Sequence, residues 1–213
     1  MVGDSVRFRE EKKRQIQRAA LLAFSRKGYH RTTMRDIADF AGIGKSTIYE
    51  YFDSKEELFL SLIDFAGSQF LENVKKAVKD IRDPLAALKK ILNASTQSYR
   101  DWRDFLRLII LFFGETTADR ELSSPKFIAR LKNFYEILRE ELRLIVERGI
   151  EEGIFRDVDP QDVSSFLIAL IDGLSFHWLI EELSPDERKR CNRCFFNLTL
   201  EGLLKDRVLE AGG

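Results

Sequence analysis

The sequence predicts an all-α protein of about nine helices, and three observations carry that prediction. Apolar residues recur at spacings of three and four along most of the chain, and no stretch alternates with the two-residue period of a strand. Each of the four prolines follows Asp or Ser, a pairing that starts helices. Gly28 and Gly42 stand directly after apolar-periodic segments, where helices stop.

In chain order, the residues before Arg9 lack periodicity and are expected to form a mobile basic arm. From about Arg9 to Lys27 a helix is expected, with Ile16, Ala19, Ala20, Ala23 and Phe24 on one face and Gly28 at its end. Tyr29 is placed to pack beneath the next two helices, and His30 falls in the connecting turn. Thr33 to Lys55 reads as a helix-turn-helix. Thr33 caps a short helix with Asp36 at its third position, and Ile37, Ala38 and Ala41 form a small apolar inner face. Gly42 supplies the left-handed turn, Ile43 plugs the angle, and Lys45 to Tyr51 form the second helix. Ile48 and Phe52 face inward, leaving Lys45, Ser46, Thr47, Tyr49 and Tyr51 outward. These carry DNA-contact chemistry: an ammonium for phosphate or guanine, hydroxyls for phosphates or base edges, and a Thr methyl for thymine. Gly44-Lys45-Ser46-Thr47 imitates the end of a phosphate-binding loop. That motif needs a glycine five residues before Gly44, where Asp39 stands, and a strand in front of it.

Ser54 and Glu57 cap a long helix expected from Lys55 to about Lys79, with Leu58, Leu62, Phe65, Phe70 and Val74 on its apolar side. A stiff helix of this length can transmit movement from one end of the molecule to the other. The prolines then start helices at Pro84 to about Tyr99, Pro125 to Glu152, Pro160 to Leu183 and Pro185 to Arg207. Between the first two, Trp102 to Phe113 reads as a short buried helix before a loop to Ser124. Phe105 to Phe113 and Phe166 to Ile171 are apolar over more than one helical face and are expected to be buried nearly all round.

The formal net charge is zero, yet up to Lys55 there are 12 Lys plus Arg against 7 Asp plus Glu, a net of +5, and the remainder carries −5. A basic first part suits phosphate contact, because local charge excess governs non-specific DNA affinity. No apolar run reaches 18 residues, so no membrane span is expected. The charged start does not resemble a signal peptide, and a cytoplasmic location is expected. No cofactor or metal is expected. Cys191 and Cys194 share a helix face, but His30 and His177 are the only histidines available to complete a zinc site, and a redox pair favours a helix start after a strand. An enzyme reading lacks a His-Glu-x-x-His helix and a Gly-x-Ser-x-Gly elbow.

The ordered run of Thr33, Ile37-Ala38, Ala41-Gly42, Lys45, Tyr49 to Phe52 and Ser54 to Leu58 resembles the DNA-binding domain of the TetR/AcrR family of bacterial transcriptional regulators. The likeness is nearly gapless over roughly residues 10 to 60. It implies an N-terminal three-helix DNA-binding domain, residues 1–54, and a C-terminal helical body for effector binding and dimerisation, residues 55–213. It also implies that Thr33, Arg35, Lys45, Ser46, Thr47, Tyr49, Tyr51 and Lys55 contact double-stranded operator DNA. A His is common where Tyr51 stands, and a Tyr hydroxyl can also bond a phosphate. The implied protein is a homodimeric regulator, a repressor relieved by a ligand. Val163, Leu170, Leu174, Phe195, Leu198 and Leu203 would form the dimer interface. Phe65, Trp102, Phe105, Ile109, Phe113, Phe134, Phe166 and Trp178 would line a pocket for a small hydrophobic or aromatic effector. The same side chains could simply fill a core. Tyr99, Tyr135, Asp172 and His177 are candidate orienting groups. A constitutive DNA-binding regulator without an effector is the alternative.

Overall fold

A proline in the first turn of a helix forfeits no hydrogen bond, because that amide has no partner inside the helix. In the computed structural model four helices begin at the four prolines. The structure describes residues 2–97, 106, 109–110, 125–181 and 183–204. Its helices are α1 (Val2–Lys27), α2 (Met34–Ala41), α3 (Lys45–Tyr49), α4 (Lys55–Val78), α5 (Pro84–Gln97), α6 (Pro125–Glu151), α7 (Pro160–Glu181) and α8 (Pro185–Leu203). Among the described residues there is no strand, only an isolated bridge between Phe155 and Leu204. Most of the expected helix between Trp102 and Phe113 lies outside the described residues, where only Leu106, Ile109 and Ile110 are placed.

The chain divides into two compact units. The first comprises residues 1–69 with 103–134, the second 70–102 with 135–213, so α4 and α6 each contribute to both. In the first unit Ile16, Ala20, Ala23 and Phe24 of α1 are fully buried and Ala19 nearly so, the face their spacing foretold. Phe24, Tyr29, Phe59 and Phe127 form an aromatic cluster with ring centroids 5.1 to 6.0 Å apart. Each large apolar side chain so buried contributes roughly 1.5–3 kcal/mol. The expected arm is instead the beginning of α1, which runs back to Val2. No proline interrupts residues 2–8, and Arg7 pairs with Glu11 one turn on at 3.8 Å. Val6 and Phe8 stay largely exposed, so that stretch has no buried stripe for periodicity to register.

In the second unit the proline helices are capped as their preceding residues suggest. Asp83 Oδ1 accepts from Leu85 N at 2.9 Å, and Asp159 Oδ1 accepts from Gln161 N at 2.7 Å. Ser184 and Glu187 exchange reciprocal bonds at the start of α8. Ser124 lies outside the described residues. After α6 the chain turns at Gly153, φ +71°, and folds Phe155 back onto Gly149, where a Cβ would overlap the ring. Phe166 to Ile171 departs from its expectation. Leu167, Ile168 and Ile171 are buried, but Phe166 is 56 % exposed and Ala169 is also exposed. Apolar character on two faces of a helix does not reveal that one of them is left exposed among the described residues.

Candidate nucleic-acid interface

Thr33 and Asp36 build the start of α2 together. Thr33 Oγ1 accepts from Asp36 N at 3.1 Å, and Asp36 Oδ2 accepts from Thr33 N at 2.8 Å and from Thr33 Oγ1 at 2.7 Å. Lys27 closes the arrangement with a 2.6 Å bond to the same carboxylate. The Lys27 bond, followed by those of Thr33, holds the Asp36 carboxyl well below its ordinary range. Thr33 is exposed, but its hydroxyl hydrogen is spent on Asp36, which leaves it acceptor capacity and a methyl group.

The turn is made by Gly42 at φ +65°, where a residue with a Cβ would be strained. Ile43 N bonds Ala38 O at 3.0 Å, and half-buried Ile43 sits in the corner as its place in the motif suggested. α3 is shorter than expected, ending at Tyr49; bonds from Tyr51 N and Phe52 N to Ile48 O, at 3.2 and 3.1 Å, continue the curl as a turn. Ile48 and Phe52 are buried. Arg35, Lys45, Ser46 and Tyr49 are exposed, and Thr47 and Tyr51 are half-buried. The outward residues of α2, α3 and the turn after α3 thus offer two cations and four hydroxyls, two of them phenolic.

Lys55 is placed differently from the other cations. Its Nζ donates to Tyr29 O at 2.9 Å, Thr32 O at 3.0 Å and His30 O at 3.4 Å, and lies 4.3 Å from the Tyr29 ring centroid. Three donors on three carbonyls satisfy the ammonium and fasten the start of α4 to the turn between α1 and α2. At that start Ser54 Oγ accepts from Glu57 N, and the Glu57 carboxylate accepts in return from Asp53 N at 2.6 Å, one residue before the expected Ser54 N. Two residues that motif reading missed stand beside the surface. Arg9 lies 5.8 Å from the Tyr51 ring and Lys13 5.8 Å from the Phe52 ring. Their four-residue spacing, in phase with buried Ile16 and Ala20, was the available signal.

The C-terminal candidates divide into several environments. In the first unit Phe134 is buried against Gly67, where a Cβ would come within 2.8 Å of its ring, and Phe65 and Ile109 are half-buried. In the second unit Trp178 is fully buried beside Leu92, Ile171, Leu174 and Phe196. Phe166 instead joins Val163, Leu170, Phe195, Leu198 and Leu203 along an apolar groove of about 550 Å³ between α7 and α8. Leu174 is half-buried beside Trp178. Trp102, Phe105, Phe113 and Tyr99 lie outside the described residues. Tyr135 donates its hydroxyl hydrogen to Asp172 Oδ2 at 2.8 Å. Burial pushes the Asp172 carboxyl up to about 6, against the lowering effect of that bond. The Tyr135 phenol is pushed upward by burial and by the Asp172 charge. His177 and Cys194 are exposed and Cys191 is half-buried; both thiols are free. Among the described residues no cluster of three metal-ligating side chains occurs.

Residues 16–62 match the family described as bacterial regulatory proteins, tetR family, and residues 84–195 match the one described as BetI-type transcriptional repressor, C-terminal. The chain belongs to the TetR family. This TetR-family chain is 30 % identical over 215 aligned residues to the HTH-type transcriptional regulator RutR of Escherichia coli O157:H7, covering 99 % of this chain and 94 % of that protein. It is 26 % identical to the uncharacterized HTH-type transcriptional regulator YhgD of Bacillus subtilis, covering 94 % of this chain and 96 % of that protein. Among solved structures, a TetR transcription regulator from Haloarcula marismortui superimposes with a TM-score of 0.76 at 22 % identity, covering 92 % of this chain and 100 % of the other. A transcriptional regulator from Saccharomonospora viridis in complex with choline gives 0.75 at 23 % identity, covering 92 % and 99 %. The TetR-family assignment makes this chain a DNA-binding transcriptional regulator, with the helix-turn-helix of α2 and α3 inside the N-terminal match. None of its described helices is long and apolar enough to cross a membrane.

Proposed function

We propose that the chain is a cytoplasmic, homodimeric repressor that binds a near-palindromic operator and is released by a small hydrophobic or aromatic effector. The observation that carries this reading is the exposed polar surface of α2 and α3. Arg35, Lys45, Ser46, Thr47, Tyr49 and Tyr51 contact DNA, with Thr33 offering its methyl and an acceptor. Lys55 acts by fixing the turn beneath the interface. Arg9 and Lys13 extend the positive surface along α1. A two-fold dimer would put two recognition helices into successive major grooves. The division of labour follows residues 1–54 for DNA and 55–213 for effector binding and dimerisation.

The groove between α7 and α8 supports dimerisation. Phe166 is 56 % and Leu198 71 % exposed, and a single chain gains nothing by presenting such side chains to water. The choline bound to the S. viridis regulator supports a small molecule as the class of effector, not choline itself. Buried Phe134 and Trp178 favour a second reading at those two positions, a packed core in a constitutive regulator. Native mass spectrometry beside a denatured sample separates the readings. A dimer that releases a small component on denaturation supports the effector; a dimer that stays ligand-free through a screen of aromatic and aliphatic compounds supports the constitutive regulator. A monomer contradicts the two-fold operator model.

A further inference from the structure

The middle of α7 carries a single carboxylate. Between Asp162 and Glu181 its residues are apolar or neutral apart from Asp172 and exposed His177, and the helix contains no lysine or arginine. Asp172 is half-buried and accepts one hydrogen bond among the described residues, from the Tyr135 hydroxyl of α6 to Oδ2 at 2.8 Å. Both residues belong to the second unit. Oδ1 accepts no hydrogen bond among the described residues and is not sealed from solvent, so a donor can reach it. The cations of α6 do not neutralise the group. Arg139 stands one turn beyond Tyr135 but bonds Ser165 Oγ at 3.1 Å, Arg143 is paired with Glu140 and Glu147, and Lys132 is exposed with no ion pair to Asp172. Burial raises the Asp172 carboxyl and the Tyr135 bond alone opposes it; no cation lowers it.

Withdrawing a carboxylate from water without a positive partner is unfavourable, and groups so placed concentrate where a ligand supplies the missing charge. The chemistry of that ligand is narrow. A hard metal ion takes about six or more oxygen donors, and no cluster of three metal-ligating side chains occurs among the described residues. An organic ammonium needs only one charge-assisted acceptor and can leave its carbon frame to apolar surroundings. Leu138, three residues beyond Tyr135, and Ile168, four before Asp172, are both buried, so the helix faces that carry the pair are apolar on either side of it. We propose that the effector is an amine, a small apolar molecule whose protonated amino group donates to Asp172 Oδ1, opposite the Tyr135 bond to Oδ2. The inference rests on the effector reading above and deepens it: Asp172 selects a cationic ligand over a neutral one of the same shape.

Isothermal titration of the full chain at about pH 7.5, above the Asp172 titration, tests this with matched pairs: 2-phenylethylamine and 2-phenylethanol, tryptamine and tryptophol, hexylamine and hexan-1-ol. At least one amine is expected to saturate one site per chain with Kd below about 1 mM, and its alcohol to bind at least tenfold more weakly. Asp172→Asn keeps an acceptor for Tyr135 and removes the charge. It should bring the affinity of that amine down to about that of the alcohol, leave the alcohol unchanged and not lower the melting temperature. An alcohol that binds as tightly as its amine, or an amine held as tightly by Asp172→Asn as by the parent chain, would overturn the amine while leaving a neutral small-molecule effector in place. Saturation by none of the compounds, amine or alcohol, would overturn the amine and count against the effector reading with it.

Discussion

Two lysines of the helix-turn-helix region show why position within a motif does not settle a residue's role. Lys45 is exposed, whereas Lys55 is bonded to three carbonyls. Lys45→Ala should leave the melting curve unchanged while weakening binding to all DNA sequences and lowering the slope of log affinity against log salt by about 1. Lys55→Met should cost on the order of 1–3 kcal/mol in urea unfolding, because it removes the charge-assisted bonds that fasten the start of α4 to the turn between α1 and α2. If Lys55→Met keeps full stability and changes only the salt slope, Lys55 is a phosphate ligand after all. Thr47→Ala should reduce operator affinity more than affinity for random duplex; equal losses would remove Thr47 from sequence reading. Asp172 provides a pH test. Its carboxyl titrates near 6 in the folded chain, above the ordinary value of 3.8, so the folded state holds more protons across that interval. Stability from this group is therefore greatest below about 4 and falls as pH rises through about 6. Asp172→Asn, which keeps an acceptor for Tyr135, should raise stability at pH 7 by roughly 1–3 kcal/mol, and the gain should vanish near pH 4.

At the scale of elements, the starts of helices were the most legible feature. A cap-proline pair states its meaning in two adjacent residues, and α5, α6, α7 and α8 begin at their prolines. The corner of the helix-turn-helix was equally plain, because only glycine accepts the φ of +65° found at Gly42 without strain. Gly42→Ala should cost about 1–2 kcal/mol in chemical denaturation, the penalty of a left-handed backbone with a Cβ. The extension of α1 to Val2 was not legible, since an exposed helix has no stripe to bury. Nor was the inward turn of Lys55. Its three acceptors are backbone carbonyls between residues 29 and 32, and any sequence offers carbonyls. The exposed face of α7 escaped for another reason: hydropathy registers that Phe166 is apolar and says nothing of whether its partner lies in the same chain.

For the molecule as a whole, the proposed two-fold regulator would use the polar residues of α2 and α3 on DNA and the apolar groove of α7 and α8 for its partner. Leu198→Arg, at a position 71 % exposed, should leave the fold intact yet convert the chain to a monomer in sedimentation equilibrium. A variant that remains dimeric would move the interface elsewhere. The most direct test of the whole account is a footprint of the purified protein on the DNA upstream of its own gene, against random duplex at physiological salt. The account predicts two protected patches about one helical turn apart or a multiple of it, related by a near-palindrome, and absent with Leu198→Arg. Uniform protection with no preference over random DNA would contradict it.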